Sequence, residues 1–340
     1  MLMAFIAGFL GLLVLQAVLQ AACVRIDARK FHAPGRLVSV PGGRMHVQHS
    51  GDGAPAVVLE AGIAASSLNW ALVQPQMSCV TATYSYDRAG FGWSTLENRA
   101  CTLQRMADDL HELVDCMGVP KPYVLAGHSF AAYILRVYAF RFTDEVAGVV
   151  LVDPLTPEEW ITPTRAQRAR LRRGVWFSRA GGALGAVGVI RFCLWLLQRG
   201  NSDVPRRALG TFGASAKETV ERILGELAKL PPDVVRLIRE RWSNPKFFWT
   251  MAAYIRALPA CAAEASGCDI PSCVPVTVIS GAQQPEERMA EHAAMAGHSL
   301  QGRHIVADKS AHWIHLDQPE LVVNAVCEIT QTMKAETVRT

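Results

Sequence analysis

The sequence predicts an α/β fold in which a mostly parallel, doubly wound sheet carries an inserted helical lid and follows an N-terminal transmembrane helix. Three features of the sequence support this prediction. Short apolar runs alternate with helical patterns on either side of residues 154–260, that stretch itself has only helical patterns, and residues 1–24 carry no charged side chain. Strands that are apolar on both faces and separated by helices are typical of a parallel sheet covered on both sides.

Composition sets broad limits on this protein. Of 340 residues, 50% are hydrophobic and 19% are charged, and the formal net charge is +4. Such a chain can bury a large core, and its composition argues against disorder. Phosphate binding needs a concentrated basic surface, so the small net charge argues against nucleic acid as a partner.

Residues 1–24 are predicted to be a transmembrane anchor, because a helix of about 20 apolar residues crosses a hydrocarbon core of about 30 Å. The alternative is a cleaved signal peptide, which usually begins with basic residues, and none precedes Arg25 here. Leu19 to Cys23 resembles a bacterial lipoprotein cleavage site, although Gln20 stands where an aliphatic residue is expected. Basic residues that follow the segment favour a cytoplasmic globular part, and export is the alternative. These residues are Arg25, Arg29, Lys30, Arg36 and Arg44.

After a polar linker at residues 25–36, the first part of the core is predicted at residues 37–153. Leu37–Val40 and Met45–His49 flank Pro41-Gly42-Gly43, which predicts a hairpin. Further strands are predicted at Ala56–Leu59, Ala82–Tyr86, Tyr123–Ala126, Val146–Val152, Val276–Ile279 and Arg303–Val306. Helices are predicted at Thr102–Met117, Ala131–Phe142 and Pro319–Met333.

Residues 154–260 are predicted to form the lid, residues 261–334 the second part of the core and residues 335–340 a tail. Within the lid, Ser215 to Glu218 has the pattern of a capping box, and Pro231-Pro232 separates two helices. Ala183–Leu197 is apolar apart from Arg191. This run is expected either to line the pocket and pack on the core, or to dip into a bilayer interface near basic residues such as Arg165 and Arg173.

The nine cysteines, an odd number spread along the chain, do not resemble a disulfide framework or a zinc site. Cys261, Cys268 and Cys273 are close in sequence. Buried free thiols are the main expectation for them, and one disulfide is the alternative if the domain is exported.

The segment Gly127-His128-Ser129-Phe130-Ala131 lies between a predicted buried strand and a predicted helix. This is the strand–turn–helix context of a nucleophile elbow, G-x-S-x-G, with Ala131 in place of the second glycine. Small flanking residues let the strand and the helix approach while the turn exposes the serine hydroxyl. The alternative is an ordinary connection in which Ser129 caps the helix.

From about Gly35 to Met333 the chain resembles the α/β-hydrolase family, because five motifs occur in that family's order. The motifs are Leu59-Glu60-Ala61-Gly62-Ile63 at the oxyanion loop, residues 86–94 (YDRAGFGWS) at the D-x-x-G-x-G-x-S turn, the elbow, residues 149–154 (VVLVDP), and residues 310–320 (SAHWIHLDQPE) at the catalytic-histidine loop.

The resemblance implies that Ser129 is the nucleophile and His312 the general base that a serine hydroxyl needs. His315, one helical turn away, is the local rival of His312. The acid that orients the base is expected to be Asp153, with Glu286 in reserve, because the strand after the lid leads to the amides Gln283 and Gln284 where a carboxylate is usual. Asp87 and Asp317 are expected to hold loops together.

The resemblance also assigns the oxyanion hole to the backbone N–H groups of Ile63 and Phe130, with Glu60 in place of the family's usual histidine. The expected protein is a membrane-anchored esterase or lipase-like hydrolase that acts on an apolar ester, contacts membrane lipid, and uses no cofactor or metal. One alternative is a non-catalytic binding or scaffold protein of the same fold. Another is a carbon–carbon hydrolase or perhydrolase that uses the same site.

Overall fold

A computed structural model describes residues 1–95, 100–199 and 214–337. The chain divides into two compact units. The lid unit comprises Met1–His32 and Arg172–Ala252, and the core unit comprises Ala33–Leu171 and Ala253–Thr340.

The core unit contains an eight-stranded sheet in the order β1-β2-β4-β3-β5-β6-β7-β8. Its strands are β1 Arg36–Val40, β2 Gly43–Ser50, β3 Val57–Glu60, β4 Thr83–Tyr86, β5 Tyr123–His128, β6 Val146–Val152, β7 Val276–Gly281 and β8 Arg303–Ala307. Strand β2 pairs antiparallel with β1 and β4, and all the other pairs are parallel. The predicted, mostly parallel α/β fold is therefore confirmed.

Strands β3, β5 and β7 continue past their predicted ends, to Glu60, His128 and Gly281. Every residue of these strands is buried, so both faces of the sheet are covered. Apolar side chains such as Val124 and Val150 pack in one core cluster with Val326 of the last helix. The strand ends that carry the candidate site therefore belong to a buried sheet that is packed on both faces.

The α-helices of the described residues, numbered along the chain, are α1 Leu2–Lys30, α2 Gln74–Met77, α3 Leu103–Met117, α4 Ala131–Arg141, α5 Pro157–Ile161, α6 Arg165–Ala186, α7 Val189–Gln198, α8 Ala214–Leu227, α9 Pro232–Trp242, α10 Pro245–Ser266, α11 Glu286–Gly297, α12 Ile314–Asp317 and α13 Pro319–Thr337. The three helices predicted in the core correspond to α3, α4 and α13. Helix α3 starts one residue later than predicted because Thr102 is its N-cap and accepts a hydrogen bond from the Arg105 N–H.

Helix α1 has 29 residues, and its most apolar 18-residue window has a mean hydropathy of 2.5. By length and composition it is a candidate transmembrane span. The predicted linker at residues 25–36 is corrected, because α1 continues to Lys30 and β1 begins at Arg36. The basic residues Arg29 and Lys30 in its last turn favour this extension, since they interact favourably with the helix dipole.

Between Val152 and Val276, the described residues form helices and no strand. The apolar run 183–197 is divided between α6 and α7. The angle between these two helices is 89°, and Gly188, with φ 80°, lies at the break. The predicted lid boundary at residue 260 falls inside α10. Pro232 starts α9 as predicted, whereas α8 begins at Ala214, and the predicted capping-box side chains 215–218 lie outside the described residues.

All nine cysteines lie in the described part of the chain, and all are free thiols. Burial, the main expectation for the 261–273 cluster, is correct only for Cys261. Cys268 is partly buried and Cys273 is exposed. The alternative of a disulfide in this cluster is therefore not realised in the structure.

Candidate active site

The turn between β5 and α4 places Ser129 in the left-handed region of backbone conformation, with φ 57°. Left-handed backbone at a non-glycine residue costs energy and persists only where the surroundings impose it. Here the Ser129 N–H donates to the Val152 carbonyl oxygen at 2.9 Å, and the Leu155 N–H donates to the Ser129 carbonyl oxygen at 3.2 Å. Segments on and after β6 therefore hold the elbow in its strained conformation.

Close packing explains the small residues of the elbow. A Cβ atom added to Gly127 would lie 2.8 Å from the Ala131 Cβ and 2.7 Å from the Leu135 Cδ1, so only glycine fits there. Ala131 is the first residue of α4 and does not have a positive φ, so a methyl group is tolerated where the motif has its second glycine. The N-cap of α4 is Phe130, without a side-chain cap bond, so Ser129 does not cap the helix.

His312 and Asp153 are brought together from distant parts of the chain. His312 Nδ1 lies 2.5 Å from Asp153 Oδ2, the Asp153 side chain is 1% exposed, and the His312 side chain is 36% exposed. Asp153 follows β6 directly, at φ 43°. A buried carboxylate on Nδ1 leaves Nε2 as the free nitrogen of the imidazole.

Two further N–H groups hold the Asp153 carboxylate. The Gly281 N–H donates to Oδ1 at 3.0 Å, and the Gln284 Nε2 donates to Oδ2 at 2.5 Å. The end of β7 and the segment after it therefore supply donors to Asp153 instead of an acid of their own. Glu286, the reserve acid, is exposed in the first turn of α11.

A chain of hydrogen bonds through two histidines and a serine holds the backbone that follows Asp153. His292 Nε2 lies 2.9 Å from the Pro154 carbonyl oxygen, and its Nδ1 lies 2.7 Å from Ser280 Oγ. Ser280 Oγ in turn lies 2.7 Å from His304 Nε2. Burial lowers the pKa of His292, and burial also lowers the pKa of His304. With both rings neutral, one consistent set of donors runs from His304 through Ser280 and His292 to the Pro154 carbonyl.

His128 fixes the backbone of the candidate base. Its Nε2 lies 2.8 Å from the His312 carbonyl oxygen, and its ring centroid lies 4.6 Å from that of His312. Burial, together with the neighbouring imidazoles of His315 and His312, holds the pKa of His128 well below the usual range. His128 is therefore neutral and donates from Nε2.

His315 is buried, with its ring 5.0 Å from that of Trp70. Burial lowers its pKa to about 3, with a smaller contribution from His312. Its Nδ1 has no hydrogen-bond partner among the described residues. The carboxylate contact thus goes to His312 and not to its sequence rival.

The loop that carries His312 is held by two hydrogen bonds of Ser310. The Ser310 hydroxyl donates to Asp317 Oδ2 at 2.7 Å, which agrees with the expected loop-holding role of Asp317. The Ala282 N–H donates to the Ser310 carbonyl oxygen at 2.9 Å. A Cβ atom on Gly281 would overlap the Ala311 carbonyl, so glycine is needed where β7 meets this loop.

Within the described residues, no hydrogen bond joins the Ser129 hydroxyl to His312. In ligand-free enzymes such bonds are often long and tighten only when substrate binds.

The loop after β3 lies against the elbow. A Cβ atom added to Gly62 would lie 3.5 Å from the Ser129 Cβ and 3.0 Å from the His128 Nδ1. The backbone N–H groups of Ile63, which follows in this loop, and of Phe130, which follows the serine, donate to no acceptor in the described part of the chain. Two unused donors beside the serine are suitable ligands for an oxyanion.

Arg88 explains how this loop keeps its shape without the family's usual histidine. Glu60 and Arg88 form a buried ion pair, and the Arg88 guanidinium also donates to the carbonyl oxygens of Ala61 and Gly62. Burial raises the pKa of Glu60 to about 7, although the positive charge of Arg88 opposes that shift. An ionised glutamate is costly to bury without a partner, so a glutamate at the end of an apolar strand is a sequence signal for a nearby cation, and the structure shows that this cation is Arg88.

Asp87 joins the neighbouring strand ends, as expected from the sequence. It accepts hydrogen bonds from the backbone N–H groups of Ser67 and Trp93, at 2.8 and 2.9 Å, and lies 2.8 Å from His46 Nδ1. Burial alone would raise the pKa of Asp87, but the contact with His46 and the hydrogen bonds from the Trp93 and Ser67 N–H groups together outweigh it and lower that pKa.

The chain matches a model of the alpha/beta hydrolase family over residues 57–325. It belongs to the alpha/beta hydrolase family. Among solved structures, this hydrolase is similar to a thermophilic esterase from Thermogutta terrifontis, with a TM-score of 0.60 and 20% identity, covering 87% of this chain and 98% of the esterase. It is also similar to the enol-lactonase from Burkholderia xenovorans LB400, with a TM-score of 0.58 and 19% identity, covering 86% and 99% of the two chains.

At these identities the structural similarity shows the fold alone. Among curated proteins, the hydrolase is 30% identical over 117 residues to the uncharacterized protein YqjL of Bacillus subtilis (strain 168). That match covers 34% of this chain and 46% of YqjL. The chain spans less than half the length of the first curated relatives it matches.

Proposed function

We propose that this protein is a serine hydrolase that cleaves a carboxylic ester, or a related thioester or lactone, through an acyl-enzyme. The observation that carries the proposal is the 2.5 Å contact between Asp153 and His312, close to a serine on a strained elbow. Related folds that hydrolyse alkyl substrates use a carboxylate at the elbow. A serine there favours acyl transfer.

In the acylation step, Ser129 Oγ attacks the ester carbonyl carbon while His312 Nε2 accepts the hydroxyl proton. Asp153 holds the imidazole in the tautomer that leaves Nε2 free, and it stabilises the imidazolium that forms. The oxyanion accepts hydrogen bonds from the N–H groups of Ile63 and Phe130. The carbon–oxygen bond to the leaving group then breaks, and His312 returns its proton to the departing alkoxide.

In the deacylation step, water attacks the acyl carbon and transfers a proton to His312. The bond to Ser129 breaks, the carboxylic acid leaves, and the serine recovers its proton from the imidazolium. The position of Phe130 at the start of α4 adds the positive end of the helix dipole to this oxyanion site.

The proposal is tested by labelling purified protein with a fluorescent fluorophosphonate. Wild type is compared with Ser129→Ala and His312→Ala, and with the control variants Ser266→Ala and His298→Ala, which remove an exposed serine and an exposed histidine. We expect labelling of wild type and both controls and loss of labelling in both site variants. Absence of labelling in well-folded wild type would contradict the proposal and favour a binding protein of this fold.

We further propose that α1 anchors the hydrolase in a membrane, with the core unit on the cytoplasmic side and an apolar ester as substrate. The length and hydropathy of α1 support the anchor, and the basic residues from Arg25 to Arg44 support the orientation. Resistance to alkaline extraction tests the anchor, and accessibility of the core to protease in right-side-out and inverted vesicles tests the side.

A further inference from the structure

The lid unit contains a buried polar contact on the N-terminal helix. Gln20 is 4% exposed and is the one residue of α1 that is buried, whereas Gln16, one turn earlier, is exposed. The Gln20 Nε2 donates to the Ser243 carbonyl oxygen at 2.8 Å, and Arg191 Nε donates to Gln20 Oε1 at 2.8 Å. Both ends of the amide are satisfied, which a buried amide requires.

A second contact lies two turns further along α1. Arg191 Nη1 lies 2.5 Å from Asp27 Oδ2, so one arginine near the start of α7 contacts two points on α1. We call Gln20, Asp27 and Arg191 the clasp. An amide and a carboxylate that share one partly buried guanidinium fix both the position and the rotation of α7 against α1.

The clasp lies at a defined distance along α1. From Leu2 to Gln20 an α-helix rises about 27 Å, close to the roughly 30 Å of a bilayer's hydrocarbon core. The first charged residue, Arg25, and the carboxylate of Asp27 follow within two turns. When α1 spans a bilayer, Gln20 therefore lies near the boundary of the hydrocarbon and Asp27 at the level of the head groups, and the start of α7 lies with them.

The exposed side chains of α7 are of the kind found at the head-group level of a bilayer. Phe192 is 54% exposed and Trp195 is 41% exposed, and their rings are stacked with centroids 5.7 Å apart. The guanidinium of Arg199 lies 4.2 Å from the Trp195 ring centroid. Exposed aromatic rings backed by arginine are typical of helices that lie in a membrane interface.

We propose that α7 is an interfacial membrane helix: the clasp holds it against α1 so that Phe192 and Trp195 insert at the head-group–acyl boundary of the bilayer that α1 spans. This inference rests on the proposed membrane anchor, and it does not depend on the proposed reaction. The partner it names is a phospholipid bilayer.

The insertion is tested with full-length protein in vesicles that contain phosphatidylcholine brominated near the head-group end of its acyl chain, since bromine quenches nearby tryptophan. Trp195→Phe is compared with Trp160→Phe, which removes a buried tryptophan of the core unit. We expect Trp195→Phe to remove a quenched component of the fluorescence and Trp160→Phe to remove an unquenched one. Equal quenching of the two tryptophans would overturn the proposal.

The clasp is tested by comparing Gln20→Leu with Gln16→Leu, two identical changes on the same helix that both keep α1 apolar. The quenching that depends on Trp195 should fall by at least half in Gln20→Leu and stay unchanged in Gln16→Leu. Asp27→Asn, a milder change, should give an intermediate loss and serves if Gln20→Leu does not fold, as judged by circular dichroism. Unchanged quenching in every folded clasp variant would overturn the role of the clasp.

Flotation of the vesicles after an alkaline wash separates this inference from the anchor on which it rests. Protein that fails to float with the lipid would disprove the anchor and, with it, the insertion of α7. Protein that floats while its Trp195 remains unquenched would overturn the insertion of α7 alone.

Discussion

The two sides of Ser129 are held in place by different kinds of interaction. On the proposed oxyanion side, the guanidinium of Arg88, which forms a buried ion pair with Glu60, donates to backbone carbonyls and so fixes a loop. On the base side, three N–H donors converge on the carboxylate of Asp153 and so fix a side chain. On the first side, the charged Arg88 holds the backbone of a loop. On the second side, N–H groups of the backbone and of side chains orient the charged carboxylate of Asp153.

This difference predicts two kinds of functional defect. Changes on the base side should alter proton transfer while the fold is kept, because they leave no buried charge without an ionic partner. Changes on the oxyanion side should impair both stability and catalysis, because removal of one member of a buried ion pair leaves the other charge uncompensated.

The largest effect is expected for Asp153→Asn. Loss of the charge that orients His312 should lower the rate of fluorophosphonate labelling by about 10⁴-fold, with little change in the unfolding temperature. Glu286→Gln is the matched control and should label at the wild-type rate. A fully active Asp153→Asn variant would remove Asp153 from the mechanism.

On the oxyanion side, Arg88→Met should lower the labelling rate by about 100- to 1000-fold, because the loop that carries Ile63 loses its cationic support. It should also destabilise the protein by about 3–5 kcal/mol, since Glu60 stays buried without a partner. Labelling kinetics and urea unfolding in detergent measure the two effects. Arg105→Met, which breaks a more exposed ion pair, is the control.

A double variant separates stability from loop geometry on this side. Glu60→Leu combined with Arg88→Met removes both charges and should recover most of the lost stability, but not the labelling rate. Recovery of both properties would show that Arg88 acts only by neutralising Glu60.

Gln284→Ala should have a smaller effect on the base side. Hydrogen bonds to charged groups contribute about 1.5–3 kcal/mol, so loss of this donor should slow labelling by about tenfold or more and change its pH profile. Gln283→Ala removes the exposed neighbouring amide and should leave the rate and the profile unchanged. Identical profiles for the two variants would argue against a positioning role for Gln284.

Burial of His315 next to the candidate base predicts how the stability of the protein depends on pH. Its folded-state pKa of about 3 lies below the ordinary histidine pKa of 6.5, so between pH 6.5 and 3 the unfolded chain binds a proton that the folded chain does not. Stability should therefore fall as the pH falls through this range, by about 1.4 kcal/mol per pH unit from this residue. Urea unfolding at a series of pH values measures this dependence. His315→Phe should make the free energy of unfolding depend less steeply on pH, whereas His298→Gln, a change at an exposed position, should not.

Much of the fold could be predicted from local pattern. Buried strands such as β6 are continuous apolar runs, and Thr102 marks the start of α3 by its capping chemistry. The end of α1 could not be predicted in this way, because four of the six residues 25–30 are charged and the segment is compatible with either a linker or a helix. Likewise, the break between α6 and α7 at Gly188 interrupts a run that is apolar apart from Arg191.

The sequence by itself determined the α/β fold and the elbow around Ser129, because strand periodicity and small-residue turns are properties of adjacent residues. The candidates His312 and Asp153 came from the resemblance of the chain's ordered motifs to those of the α/β-hydrolase family. Only the tertiary structure decided that Gln284 donates to Asp153 and that Arg88 holds the loop before Ile63. These contacts join residues far apart in the chain, at strand ends that become neighbours only when the sheet forms. Hydrogen bonds and ion pairs depend on distance in space, which spacing along the chain does not determine.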